Sequence, residues 1–157
     1  MFDLVNPDDI NKTIKTLKSR TSCGHDGLST KLLKQISSSI SPTLAIITNQ
    51  SLFSGIFPEK LKIAKVLPLF KKGNNHIFDN YRPISLLPSI SKVIERIAYN
   101  QLYEYFVKNE LIYDSQYGFR QLHSTELAAL EITDRLTQDV DKGKIPVTIY
   151  LDLSKAF

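Results

Sequence analysis

Apolar positions along the first third of the chain recur at helical spacing. Ile10, Ile14 and Leu17 follow Asn6-Pro7-Asp8-Asp9, where a cap residue, a first-turn proline and two acids mark a helix start. Residues 21–27, with two glycines and an Asp-Gly step, read as a loop. Ser29 caps a second predicted helix carrying Leu32, Leu33 and Ile36. Ser41-Pro42 repeats the cap-plus-proline signal and starts a third, with Leu44, Ile47 and Leu52 ahead of a stop at Gly55. Pro58 opens one more short turn. The pattern then shortens. Residues 64–70 are apolar and strand-like, with Pro68 placing them near an edge or bulge. Residues 71–80 are a polar turn and 81–87 a return strand, so 64–87 is a predicted hairpin with a basic tip. Pro88 and Ser89 open the longest predicted helix. Its stripe of Ile90, Val93, Ile94, Ile97, Ala98, Leu102, Tyr105 and Phe106 should face a core. Residues 109–123 are irregular. Ser124 or Thr125 caps a last helix, closed by Gly143, with Leu127, Leu130 and Leu136 expected inward. Val147 to Leu153 alternates as a strand should. Helices, hairpin, helices and strand together imply an α+β fold.

Composition narrows the class. The 157 residues are 42% hydrophobic and 23% charged, enough for one domain with a core and unlike a disordered or fibrous chain. No apolar run approaches the roughly 18 residues of a membrane span. The N-terminus has no secretory pattern, and a single cysteine, Cys23, allows no internal disulfide, so an intracellular chain is expected. A strand with the look of a core strand followed by only four residues suggests a fragment of something larger.

Charge is unevenly placed. Residues 1–72 carry 11 Lys/Arg against 5 Asp/Glu, and residues 73–157 carry 9 against 11. A basic half suits a polyanionic partner, although solvated helix faces account equally for Lys12, Lys15 and Lys18. Asp152 lies on a strand otherwise built of Val, Ile, Tyr and Leu. A carboxylate there faces water, caps the next element or binds a cation such as Mg²⁺. Lys71 and Lys72 at the hairpin tip and Arg82 on its return strand could clamp a triphosphate or simply be solvated. Phe157 could pack over a sugar ring or fill core. His25, His76 and His123 lack zinc spacing and a nucleophile partner, and read as surface or turn residues. No phosphate-binding Gly-x-x-x-x-Gly-Lys loop is present.

Five segments in order carry a resemblance. They are Gly24-His25-Asp26-Gly27-Leu28, Val66-Leu67-Pro68-Leu69-Phe70-Lys71-Lys72-Gly73, and Asn80-Tyr81-Arg82-Pro83-Ile84-Ser85-Leu86-Leu87 continued by Lys92-Val93-Ile94-Glu95-Arg96. Gln116-Tyr117-Gly118-Phe119-Arg120 with His123-Ser124-Thr125, and Tyr150-Leu151-Asp152-Leu153-Ser154-Lys155-Ala156-Phe157, complete the series. From about residue 20 to 157 the chain resembles the reverse transcriptase of non-LTR (LINE-type, jockey-like) retrotransposons. Two positions depart from that pattern: His25 stands where proline is usual, and Leu122 where glycine often precedes the Ser-Thr step, so a different turn is expected there.

The resemblance implies the fingers of a right-hand polymerase plus the first strand of the palm, helix-rich and incomplete. Residues 1–20 become a helical extension, 21–87 a fingers region with the basic hairpin, and 88–157 the passage from fingers to palm. Asp152 becomes the first catalytic carboxylate and a Mg²⁺ ligand, with the Leu153 backbone carbonyl as a further ligand. Phe157 becomes the gate at the nucleotide ribose, and Lys71 or Lys72 together with Arg82 hold the dNTP triphosphate. RNA template and DNA primer are the implied partners, and nucleus and cytoplasm the implied compartments, with no membrane role. The family's distal aromatic-Ala-Asp-Asp turn does not occur in residues 1–157, so this stretch alone is expected not to polymerise and to be marginally stable. The alternatives are a non-catalytic nucleic-acid-binding remnant and a degenerate reading frame without a stable fold.

Overall fold

The computed structural model describes residues 2–152, so Leu153 and Phe157 lie outside the described residues. The chain divides into two compact units, one up to Asn109 and one from Glu110 onwards. The first holds α1 (Pro7–Thr16), α2 (Thr30–Gln35), α3 (Ser37–Ser54), α4 (Glu59–Lys62), β1 (Lys65–Phe70), β2 (Tyr81–Leu86) and α5 (Ser89–Lys108). The second holds α6 (Thr125–Asp141). A helix-rich chain with one two-stranded antiparallel sheet agrees with the α+β expectation.

α1 begins where the sequence signals it. Asn6 and Asp9 form a reciprocal capping box, each side chain accepting from the other's backbone N–H. Ile10 and Ile14, fully buried, meet Leu33 of α2, Leu44 and Ala45 of α3, and Val93 and Ile97 of α5. Each such aliphatic side chain stabilises the fold by about 1.5–3 kcal/mol relative to exposure. Val5 belongs to the same cluster, held there by Asn49. The Asn49 side chain accepts from the Val5 N–H at 2.9 Å and donates to the Val5 carbonyl at 2.8 Å. Gln101 repeats the device two residues earlier, accepting from the Asp3 N–H at 2.8 Å and donating to its carbonyl at 3.1 Å. Two side-chain amides on α3 and α5 thus pair the extended entry segment as a neighbouring strand would.

Several sequence expectations differ from the structure. The third helix starts at Ser37, not at Ser41-Pro42, and carries Pro42 inside it. Ile36 ends α2 and begins α3, and burying Ile40 with Leu44 against the core favours helix on both sides of the proline. The Ser41 hydroxyl donates to the Ser37 carbonyl at 2.6 Å in the turn that Pro42 weakens by lacking an N–H. The α5 stripe is buried only in its first half: Val93, Ile94 and Ile97 are enclosed, whereas Leu102, Tyr105 and Phe106 are exposed.

A further correction is the strand predicted over Val147–Leu153. Residues 147–152 form no strand, and Val147, Ile149 and Leu151 are exposed. Ladder hydrogen bonds need a neighbouring strand, and among the described residues β1 and β2 pair only with each other.

The second unit is built on a loop and α6. Ser124 caps α6, accepting from the Leu127 N–H, and Gly143 follows its end in the left-handed conformation, both as the sequence signals. The leucines expected inward are not enclosed; no α6 residue is buried. In the preceding loop the Arg120 guanidinium donates to the carbonyls of Tyr113 and Asp114, and the Tyr117 ring packs against His123. Leu122 keeps a left-handed backbone, φ 60°, so a glycine-type turn is made with a β-carbon in place. That conformation costs roughly 1–2 kcal/mol for a non-glycine residue.

Asn49→Ala should lower the unfolding free energy by about 1–3 kcal/mol, because it strands polar backbone groups of buried Val5. Gln101→Ala, which frees groups water can reach, should stay within about 0.5 kcal/mol; urea denaturation followed by circular dichroism compares the two. Leu122→Gly should slow amide exchange across residues 113–127, because relief of the left-handed strain outweighs glycine's extra chain entropy.

Candidate functional site

The polar positions singled out in the sequence divide between the two units. Lys71, Lys72 and Arg82 belong to the hairpin of the first unit, and Asp152 to the second.

The hairpin runs in one register, with Lys65 opposite Leu86, Leu67 opposite Ile84, Leu69 opposite Arg82 and Phe70 opposite Tyr81. Opposed residues share a face. Arg82 therefore lies beside Leu67, Leu69 and Ile84, and the Phe70 and Tyr81 rings meet edge-on at 5.4 Å on the other side. The Lys71 N–H donates to the Asn80 carbonyl at 2.8 Å, which extends the ladder by one pair. By strand alternation Lys71 falls on the face of Arg82, whereas Lys72 lies in the bend beyond the ladder. All three cations are exposed.

The turn between the strands is internally braced. Asn80 donates from its side chain to the Asn74 carbonyl, the Tyr81 hydroxyl donates to the Asn75 carbonyl, and the His76 N–H donates to the Asn74 side chain. Gly73 has φ 90°, and a β-carbon there would sit 2.9 Å from the Asn80 amide. Glycine directly after the two lysines is thus required both by its backbone angle and by the packed asparagine.

The hairpin strands are exposed along nearly their whole length, and the contacts that matter lie at their base. The loop Cys23–Ser29 closes on itself through a backbone bridge, a Gly24-to-Gly27 turn and an Asp26 side chain accepting from the Leu28 N–H. His25 Nδ1–H donates to the Ile63 carbonyl at 3.1 Å, two residues before β1. Gly24 packs against Leu87 and Pro88, just beyond β2. The Ser89 hydroxyl donates to the Leu28 carbonyl at 2.7 Å, and the Ser91 hydroxyl to the Leu61 carbonyl at 2.6 Å. Sequence reading took Asp26-Gly27 as a plain turn and His25 as a surface residue, and assigned Ser89 only a helix start. Two glycines three apart were the available signal: Gly27 is left-handed, whereas Gly24 is needed for close approach.

Asp152 is exposed, and among the described residues no three His, Cys, Asp or Glu side chains gather to hold a metal ion. These residues by themselves do not make the two-cation site that the resemblance implies. A cleft of about 360 Å³ in the first unit lies instead beside the entry segment and is lined by residues that include Phe2, Gln101, Leu102 and Tyr105. It contains none of the predicted site residues.

Two carboxylates are perturbed. Partial burial lifts Glu95 on α5 above the usual range, against the opposing pull of Lys92. Hydrogen bonds from the Ser124 hydroxyl and from its own backbone N–H hold Glu126 below it.

Residues 70–157 match the family described as reverse transcriptase (RNA-dependent DNA polymerase). The chain is 32% identical over 154 residues to a probable RNA-directed DNA polymerase from transposon BS of Drosophila melanogaster, covering 98% of this chain and 17% of that protein. It is 27% identical over 156 residues to the RNA-directed DNA polymerase from mobile element jockey of Drosophila funebris, covering 99% and 17%. The corresponding jockey protein of Drosophila melanogaster is 29% identical over 154 residues, covering 98% and 17%. The chain thus spans about a sixth of the length of these relatives.

The Glu95 shift has a definite sign. The folded state binds the Glu95 proton more tightly than the unfolded state does, so its contribution to stability is greatest at low pH. That contribution falls as pH rises from the ordinary value of 4.5 through the raised one. Glu95→Gln should remove this fall, giving a flatter difference between the two proteins' denaturation midpoints above the raised pKa than between it and pH 4.5.

Proposed function

This chain belongs to the reverse transcriptase (RNA-dependent DNA polymerase) family, and from that membership we propose that residues 1–157 supply the nucleotide-facing hairpin and first catalytic carboxylate of a non-LTR retrotransposon's RNA-directed DNA polymerase. The observation that carries the proposal is the placement of Lys71 and Arg82 on one face of an exposed hairpin, inside a chain whose Tyr150–Phe157 segment falls within the family match. In this reading the RNA strand is the template, a DNA primer supplies a 3′-hydroxyl, and that oxygen attacks the α-phosphate of a dNTP with pyrophosphate leaving.

The two cations divide the work by their chemistry. Arg82 offers a planar fork that binds two phosphate oxygens at once, and Lys71 offers a compact charge on the same face. Lys72, in the bend beyond the ladder, contributes less to that contact. Asp152 would be one carboxylate ligand of a Mg²⁺ ion, a role that needs further donors beside it. A divalent metal held there would supply charge stabilisation at the phosphoryl oxygens. The Leu153 carbonyl and Phe157 keep the roles the resemblance gives them, a metal contact and the ribose gate. The fingers and palm assignments follow the same reading, as does a site of action in nucleus and cytoplasm. Residues 1–157 in isolation do not polymerise, because one carboxylate does not hold two cations at catalytic spacing.

The test is primer extension on an RNA template by the complete polymerase containing this segment. Asp152→Asn should abolish extension while leaving primer–template affinity intact. Lys71→Ala and Arg82→Ala should raise the nucleotide KM more than Lys72→Ala does. Extension by residues 1–157 alone, or unimpaired extension by the Asp152→Asn enzyme, overturns the assignment.

A further inference from the structure

We infer that Gly24 and His25 are positioning residues: the Cys23–Ser29 loop fixes the angle at which the β1–β2 hairpin leaves the helical core, and so where Lys71 and Arg82 are held. The inference deepens the proposed nucleotide-binding role of the hairpin and rests on it for its functional consequence.

β1 is exposed along all six residues, and of β2 only Tyr81 and Leu86 are partly covered. A two-stranded ribbon without a packed face has little orientation of its own. Its direction must then be set where the chain enters and leaves it. At the entry, Ile63 receives the His25 Nδ1–H at 3.1 Å, and Leu61 receives the Ser91 hydroxyl at 2.6 Å. At the exit, Gly24 is in contact with Leu87 and Pro88. A β-carbon on Gly24 would stand 2.8 Å from the Pro88 nitrogen and 3.0 Å from the Leu87 carbonyl carbon, both backbone atoms that cannot turn aside. One short loop therefore touches both ends of the ribbon.

The loop is fit for that task because it is rigid and is itself anchored. Its own turn and its Asp26 side-chain contact fix its shape. The Thr30 hydroxyl donates to the Lys18 carbonyl at 2.9 Å and accepts from the Arg20 N–H at 2.9 Å, tying the far side of the loop to the segment after α1. The Ser89 hydroxyl, fully buried at the start of α5, holds Leu28. Displacing the loop would swing the ribbon about its base, and a small rotation there becomes a larger displacement at Lys71, beyond the end of a six-residue strand.

Two measurements separate geometry from function. The first uses nitroxide labels on Lys12→Cys and Asn75→Cys, in a Cys23→Ser background of this 157-residue chain, with the interspin distance distribution read by pulsed electron paramagnetic resonance. The parent should give one narrow distance. His25→Ala and Gly24→Ala should broaden or shift it, and His25→Asn, whose side-chain amide nitrogen takes the place of Nδ1, should restore it. If Gly24→Ala does not fold, the His25 pair decides alone. A parental distribution in His25→Ala, or a broad one in the parent, overturns the inference.

The second is the nucleotide KM of the complete polymerase. His25→Ala should raise it about three- to tenfold, the scale of one lost hydrogen bond, with primer–template affinity unchanged and His25→Asn restoring the parental value. If the distance changes but the KM does not, the hairpin is positioned by the loop and its triphosphate role is wrong. If Lys71→Ala and Arg82→Ala raise the KM while His25→Ala changes neither reading, the triphosphate role stands and the positioning inference fails.

Discussion

The start of α5 is where the first unit is tied together. Ser89 and Ser91 are both fully buried, and each hydroxyl donates to a carbonyl from a different segment, Leu28 in one case and Leu61 in the other. Buried hydroxyls without partners would each cost about 1–3 kcal/mol, so these contacts are close to obligatory. Two turns of the same helix carry Val93, Ile94 and Ile97 into the core. The helix therefore does two jobs within a few residues. Its first turn gathers the glycine loop and the entry to the hairpin through polar bonds, and its second fixes both to the Ile10–Ile14 face of α1 through apolar burial. Pro88 suits this junction because it has no N–H that would need an acceptor where Gly24 packs against it.

What the sequence disclosed well was punctuation. Asn6, Ser29 and Ser124 cap helices as expected, Gly55 and Gly143 follow helix ends in the left-handed conformation, and the hairpin strands fall within the predicted 64–87. These are local effects, settled by a residue's own side chain and backbone. Burial was read less well. Leu102, Tyr105 and Phe106 have the spacing of core residues and are exposed, because periodicity reports which face is apolar and not whether anything covers it. Leu127 and Leu130 of α6 repeat the point. Residues 147–152 do not form the expected strand for a related reason: alternation is a property of one segment, while a strand is a property of two.

The site was legible in a similarly partial way. Residue type and order identified Lys71, Lys72 and Arg82 as a group, but only the register separated the lysines, since the pairing of Lys71 with Asn80 assigns Lys71 to the Arg82 face. Gly24 was invisible as a contact residue because its requirement lies 63 positions away, at Leu87. Leu122 shows the reverse case. The backbone there takes a glycine-like angle although the residue is leucine, so the side chain bears the strain.

An exposed ribbon bearing cations meets two opposing demands. In the proposed role its charges must reach solvent to meet a triphosphate, so its faces cannot be sunk into a core to stiffen it. A ribbon with few packed neighbours is held by its ends, and here both ends are reinforced by hydrogen bonds rather than by burial. At the tip, Asn80, Tyr81 and Asn74 close the turn behind the lysines. At the base, His25, Ser89 and Ser91 fix the exits. Polar bonds suit this better than apolar contacts would, because they are directional: an apolar contact resists separation but tolerates sliding, whereas a donor aimed at one carbonyl resists rotation as well. The density of Asn, Ser, His and Gly around an otherwise apolar pair of strands follows from that requirement.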